Sequence, residues 1–565
     1  MARKLTDSRI EARRPANAAC RSRLAAIART ILVPLLVISL SNCSGGGGSS
    51  SATPTQPAPP GNNTSVNVLT WHYDNSRSGV NSNETGLTPA NVTSAGFGKI
   101  AEFTVNGQVD TQILYVSQIS IPNVGMKNVI YFATENDIVY AVDADSISGS
   151  NATVLWSTSL VPAGEAPAMS QSGCGNINPN GVTATPVIDL NRNAIYLVAM
   201  TMNAQTVTTQ YDRLHALDLA TGAELFGGPT AIAPTYPGTQ GNVLNNMIVF
   251  DPVAQHDRAA LTEVGDQIYT AWSGMYGDCA PYSAWIISFN AGTLAPSGAI
   301  VLAPDYEGAG IWLGGAGLSA DAAGSVYVPT GNATSNLMET PAIGDYPESI
   351  VRLAPGVPLT VADFFMPSNV VSLTEGDEDL SSAGVLVLPD QTDSSNVTHY
   401  LAVASGKDGN LFVLNRDSLG GFKAQNQVVQ EFPNAGASSS ANFSTPLYFN
   451  SNVYLNPAQL PIVRFPVSNA MLATSPAAQS SVSLFSVPTI SASGTSNGIV
   501  WTLGGAVLYA FDATSLNTLY ASNQAANHRD GFTAPGSSFI TPMVANQRVY
   551  LGTKSSVVVF GLLNP

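Results

Sequence analysis

Charge is what this sequence has least of. Asp, Glu, Lys and Arg together make up 11% of the 565 residues, against roughly a quarter in an average soluble protein. Such a surface is wetted by hydroxyls, amides and backbone, which excludes a bundle of helices striped with Lys and Glu. Cysteine (4) and histidine (5) are scarce as well. Cys20 and Cys43 fall in the first 43 residues, which leaves Cys174 and Cys279 for the body. Neither has histidines beside it at ligand spacing, so no metal is assigned. Long apolar runs are also missing. Ile31–Leu40 covers about half of the roughly 20 residues that a helix needs to cross a bilayer. A Walker loop, a G-x-S-x-G elbow and a zinc signature are all absent, and no catalytic residue is assigned.

What charge there is lies unevenly. Residues 1–43 hold eight Lys or Arg and two Asp or Glu, leaving 14 basic and 36 acidic residues in the rest of a chain whose formal net charge is −16. An acidic body repels phosphate backbones, which argues against a nucleic-acid partner. The basic excess precedes the apolar run Ile31–Leu40, as in a signal peptide. Leu40-Ser41-Asn42-Cys43 then reads as a lipoprotein processing site, with Cys43 the lipidated residue; Asn42 departs from the small residue usual there. The expected organisation is a signal peptide over 1–43, a disordered Gly/Ser/Pro-rich linker over 44–66, and one domain over 67–565. The expected location is exported: a membrane-anchored lipoprotein, or a periplasmic or extracellular protein.

Glycine (50) and proline (36) are plentiful, as suits short strands joined by tight turns. The body repeats a unit of three recognisable strands, often opened by Thr-Pro. One copy is Thr111–Tyr115, Val129–Ala133 and Ile138–Asp143; the next is Thr185–Asp189, Ala194–Ala199 and Arg213–Asp218. Further copies begin near Ala260, Gly317, Gly384 and Thr445, a seventh contains Ile499–Leu503 and Val507–Asp512, and an eighth begins at Thr541. Eight units spaced by roughly 40 to 75 residues predict an all-β chain. The expected architecture is a single eight-bladed β-propeller of four-stranded antiparallel blades. The last copy stops at Leu563 without an outer strand, and Lys99–Val105, which precedes the first copy, is expected to complete it and close the ring.

Ala216-Leu217-Asp218-Leu219-Ala220-Thr221-Gly222-Ala223-Glu224-Leu225-Phe226 resembles the tryptophan-docking motif of quinoprotein-type propellers, with Phe226 in the tryptophan position. Ala141–Asp143 with Trp156, and Ala510–Asp512 with Tyr520, are looser copies, and Trp71–Val92 looks like the opening segment of the same proteins. The chain thus resembles the quinoprotein (pyrroloquinoline quinone repeat) alcohol-dehydrogenase-like propellers over about 70–563. That family implies a calcium-bound quinone on the axis, beside adjacent cysteines and a catalytic Asp. Adjacent cysteines are absent here, and the calcium ligands and the Asp cannot be placed by motif.

In such propellers the loops leading into each innermost strand share a face with the loops joining strands two and three. That topology puts Cys174 and Cys279 together as an expected disulfide, and it gathers Gln108, Asp110, Gln112, His256, Arg258, Trp312, Asp377 and Asp379 around an axial mouth as candidate ligand-binding residues. His215, inside a strand, reads as a satisfied core histidine. The function expected is a monomeric binding or scaffold protein of the bacterial envelope, with an envelope protein, a peptide or a glycan as its partner and no cofactor assigned. The alternative is an oxidoreductase dependent on pyrroloquinoline quinone with Ca²⁺.

Overall fold

The structure is a computed structural model that describes residues 66–170, 174–278, 280–333, 344–435 and 440–563. The expected signal peptide, Cys43 and Cys279 lie outside these residues, as does all but Val66 of the expected linker. The described residues are almost entirely strand and turn, with one short α-helix, Val370–Gly376.

Eight sheets carry four or five strands each among the described residues. The first contains Leu114–Ile121, Gly125–Ala133, Ile138–Ser148 and Asn151–Ser159, paired antiparallel in chain order. The second is built on Val187–Asp189, Ala194–Asn203 and Thr206–Asp218, the third on Thr262–Val264, Gln267–Gly274 and Trp285–Asn290, and the fourth on Ser319–Ala320, Val326–Pro329 and Ile350–Leu353. The fifth is built on Leu386–Val387, Leu401–Ser405 and Leu411–Asn415, and the sixth on Leu447–Phe449, Asn452–Leu455 and Leu460–Ser468. The seventh holds Thr489–Ser493, Ser496–Leu503 and Leu508–Asp512, and the eighth Met543–Ala545, Arg548–Gly552 and Ser556–Leu562. All eight expected repeats therefore fall on sheets. Phe97–Thr104 pairs antiparallel with Ser556–Leu562 in the eighth sheet.

The strands carry apolar residues on both faces because each sheet is covered twice. Continuous apolar clusters join sheets that follow one another in the chain: Tyr196 and Leu214 with Trp272 and Trp285, Ala271 and Ile286 with Val326 and Val351, Ile350 with Ala402 and Phe412, and Val403 with Val453. Tyr454 packs with Val500, and Trp501 with Phe560, while one further cluster unites Tyr131 of the first sheet with Tyr550 of the eighth. Fully burying one such aromatic side chain stabilises by about 2–3 kcal/mol. The stitches between sheets recur. Tyr131 donates to the Leu219 carbonyl at 2.8 Å, Tyr196 to Ala291 at 2.7 Å and Tyr454 to Ala513 at 2.7 Å, each reaching the turn after the third strand of the next sheet. Within the Asp218 turn, the carboxylate accepts the Ala220 N–H at 3.0 Å and the Thr221 hydroxyl at 2.8 Å. Gly222 has φ +69° there, and a Cβ on it would lie 2.5 Å from the Trp156 ring. The tryptophan of one sheet thus docks on the turn of the next, its indole N–H donating to Leu219 O at 3.0 Å.

The segment 68–81 touches every one of these sheets near the far end of its innermost strand. Val68 exchanges two backbone bonds with Tyr115, the carbonyl of Leu69 accepts Ile188 N–H at 2.8 Å, and the Asn75 amide donates to Glu263 O at 2.7 Å. The carbonyls of Asn75, Ser76, Ser78 and Gly79 then accept the N–H groups of Ala320, Val387, Tyr448 and Ile490 in turn, at 2.6 to 3.0 Å. The eighth sheet closes the series, with Val544 N–H donating to the Tyr73 hydroxyl at 3.0 Å and Val544 O accepting the Asn81 amide at 2.8 Å. Arg77 sits at the centre of this hub, fully buried. Its nitrogens donate to Leu318 O, Thr70 Oγ1, Trp71 O, Asp74 O and Thr262 Oγ1 at 2.6 to 3.2 Å. Residues without sheet periodicity form the segment because their partners are eight separate strand ends rather than one neighbouring strand.

Candidate functional site at the mouth end of the inner strands

The candidate residues lie at the opposite end, where the chain enters the innermost strands. Gln108 organises one side. Its amide donates to both Asp110 carboxylate oxygens, at 3.0 and 3.2 Å, and to Glu135 Oε1 at 2.8 Å. Glu135 stands in the turn between the second and third strands of the first sheet. Burial, and then the hydrogen bond and charge of Asp110, push its carboxyl up to about 10. Gly536 packs on the Gln108 amide so closely that a Cβ there would overlap it.

Arg258 faces this pair. Its guanidinium lies 5.8 Å from the Trp312 ring and 5.9 Å from the Phe539 ring. Among the described residues it makes no hydrogen bond and no ion pair. Burial lowers its pKa and the charge of Asp110 opposes that. Phe539 continues into Phe485 at 5.8 Å and Phe443 at 6.4 Å, while Trp312 meets the edge of Tyr282 at 5.9 Å. Gly310 lets the indole lie along the chain, since a Cβ there would come within 3.0 Å of it. The cavity lined by Asp110, Thr183, Arg258, Ser537 and Phe539 measures about 30 Å³, room for a couple of waters.

Gln108, Asp110, Arg258 and Trp312 are therefore gathered at one place. Gln112 lies deeper: its carbonyl oxygen accepts the His72 N–H at 3.1 Å, on the hub side. His256 is buried against the Thr183 hydroxyl at 3.2 Å, and burial followed by the charge of Arg258 takes it down to about 3, so the ring is neutral. Asp379 is buried, bonded to Asn332 N–H at 2.9 Å and to Lys407 at 2.5 Å. Asp377, exposed at the end of the helix, reaches the same lysine at 2.9 Å. Gly175 N–H donates to Tyr276 O at 2.8 Å, so the loop of Cys174 runs beside the loop that leads to Cys279. His215 bonds Glu224 at 3.0 Å within its sheet. Glu135 and Phe539 belong to the site and escaped sequence reasoning. Glu135 lies in a strand two-to-three turn, the class of loop expected on that face.

A calcium-bound tricyclic quinone asks for a slot beside the indole and a set of oxygen ligands. Arg258 and Trp312 have chemistry suited to a carboxylate and a planar ring, but the cavity beside Arg258 has room only for a couple of waters. The nearest carboxylates, Asp110 and Glu135, are already bridged by the Gln108 amide. Among the described residues no three His, Cys, Asp or Glu side chains converge as metal ligands. The described residues do not fit the quinone–calcium pair.

No family model matches the sequence, and no curated protein does. Solved structures do. The quinohemoprotein alcohol dehydrogenase of Comamonas testosteroni is 14% identical with a TM-score of 0.57, over 88% of this chain and 80% of that one. A europium-containing methanol dehydrogenase is 11% identical with a TM-score of 0.56, over 88% and 98%. A quinohemoprotein alcohol dehydrogenase of Pseudomonas putida HK5 is 11% identical with a TM-score of 0.54, over 88% and 80%. At these identities the likeness speaks for the backbone alone: the chain has the β-propeller fold of the quinoprotein dehydrogenases.

Proposed function

We propose that this is an exported binding propeller of the cell envelope, which holds a carboxylate-bearing peptide or protein partner at its mouth end. In this reading the eight sheets form one closed ring and Phe97–Thr104 completes the last of them. The hub's bonds to all eight sheets and the apolar cluster joining the eighth to the first support that reading. Residues 1–43 act as a signal peptide, with Cys43 as lipid anchor. Cys174 pairs with Cys279 beside the mouth, which suits an oxidising compartment.

One observation carries the binding reading: the Arg258 guanidinium is held between two aromatic rings with all its donors uncommitted. A carboxylate satisfies that fork with two parallel charge-assisted hydrogen bonds, and the aromatic rings give the adjoining apolar group a surface. The partner's charge then replaces the opposing Asp110 as the counter-ion.

The test is calorimetry and tryptophan fluorescence with a library of short peptides ending in a free carboxylate or an amide. Binding of the carboxylate series, lost at least tenfold in Arg258→Met, is the expected result. Stoichiometric uptake of pyrroloquinoline quinone with Ca²⁺ accompanied by dye reduction would replace the binding reading with the oxidoreductase one. Intact mass before and after reduction and alkylation decides the disulfide; two thiols alkylated without reductant end that part.

A further inference from the structure

A second cleft opens at the hub end, between the fourth and fifth sheets, with a volume of about 640 Å³, within the range of small-ligand sites. Its origin is a mismatch of turns. The fourth sheet joins its first two strands by the tight turn Asp321–Ser325, made of alanine, glycine and serine. The fifth sheet inserts a longer excursion containing the hairpin Gln391–Thr392 with Thr398–His399. The space beside the short turn stays open, floored by Ala320, Ala322 and Ser76 of the hub.

Its walls alternate in charge. Arg352, opposite Tyr327 in the strand register, reaches Asp363 only at 3.9 Å, and its Nε is buried without a hydrogen-bond partner. Arg416 is committed, with Nε donating to Leu401 O at 3.2 Å and the fork end on Asp321 at 3.3 Å. It lies 5.5 Å from the ring of Tyr400, which is 38% exposed. Asp390, 64% exposed, stands 3.7 Å from the same guanidinium, and Asp417 is exposed on the rim.

An anionic ligand entering this cleft meets Asp390 and Asp417, and a cationic one meets two guanidinium groups. An uncharged polyol suits both, because each hydroxyl both donates and accepts. The half-exposed tyrosine ring offers a surface for the apolar face of a sugar. We propose that the cleft between the fourth and fifth sheets is a binding site for a neutral oligosaccharide, with Arg352 donating to its hydroxyls, Asp390 accepting from them, and Tyr400 stacking on a ring. This site is independent of the mouth-end reading.

The full mature chain would be titrated with maltotriose, cellotriose and chitotriose by saturation-transfer NMR and calorimetry, and with inorganic phosphate and citrate in parallel. The proposal expects one trisaccharide to bind with a millimolar or tighter Kd. Arg352→Met and Tyr400→Ala should each weaken it at least tenfold, and Lys127→Met on the first sheet should leave it unchanged. Unchanged melting curves would show that the variants fold, and the exposed Tyr400 makes its variant the safer of the two. Binding of none of the three sugars, binding indifferent to both cleft variants, or Arg352-dependent binding of phosphate or citrate instead would each overturn it.

Discussion

Two arginines, Arg77 fully buried and Arg258 half-buried, separate the two ends of this molecule. Arg77, at the hub, spends its donors on five oxygens from the crossing segment and from the third and fourth sheets. Arg258, at the mouth, spends none within the described residues and rests on two aromatic rings. The same guanidinium is a keystone at one end and an open hand at the other. What separates them is the density of backbone carbonyls: eight strand ends and a crossing segment surround Arg77, whereas side chains of aromatic and acidic residues surround Arg258. An aromatic ring beside the guanidinium, which Arg77 also has in Trp71, therefore does not tell a structural arginine from a recognising one. The commitment of its donors does.

Breaking the hub should have the largest effect. Deleting residues 66–84 should abolish cooperative unfolding, seen as a broad transition in urea by circular dichroism; a sharp transition would reduce the hub to an accessory. Next in size, Arg77→Met strands several carbonyls and hydroxyls at once and should cost about 3–5 kcal/mol in urea unfolding. A smaller, pH-dependent effect is expected at Glu135. Its carboxyl titrates near 10 in the folded chain against an ordinary value of 4.5. The folded state therefore holds a proton that the unfolded state has released, and stability falls as pH rises through that window. Glu135→Gln should match the parent in melting at pH 4 and exceed it by about 1–3 °C at pH 9; a gain that ignores pH would show that the carboxyl is not raised. Least of all, Arg258→Met should change stability by less than about 1 kcal/mol, because a weak ring contact is exchanged for relief from burying a charge. A loss as large as that of Arg77 would erase the contrast between the two ends.

Much of the fold was legible because propeller strands announce themselves: Val129–Ala133, Ala194–Ala199 and Val557–Phe560 are runs of apolar, β-branched or aromatic residues. Trp71–Val92 was legible as an opening segment, but the spread of its partners over eight sheets was not, since those partners lie up to 471 positions away. The three-stranded insertion of Thr235–Pro237, Val243–Leu244 and Met247–Val249 gave no warning, its strands being too short to carry a period. At the mouth, loop topology was enough to gather Gln108, Asp110, Arg258 and Trp312. It could not tell that Gln112 turns toward the hub, or that Lys407 occupies Asp377 and Asp379, because a side chain's partner is set by geometry between sheets. Arg352 left one trace, a charge inside the apolar strand Ile350–Leu353. Its cleft depends on turn lengths in two different repeats, which no single repeat reveals.

The hub also orders events in time. The segment that binds all eight sheets is synthesised first among the described residues, and its last partner, Val544, among the last. Val68 and Leu69 meet partners in the first two sheets early, whereas Tyr73 and Asn81 wait for Val544, so the hub is completed only when nearly the whole chain has left the ribosome. A hub so arranged ties the earliest described residues to the latest, contacts of high sequence separation whose loop-closure cost slows folding.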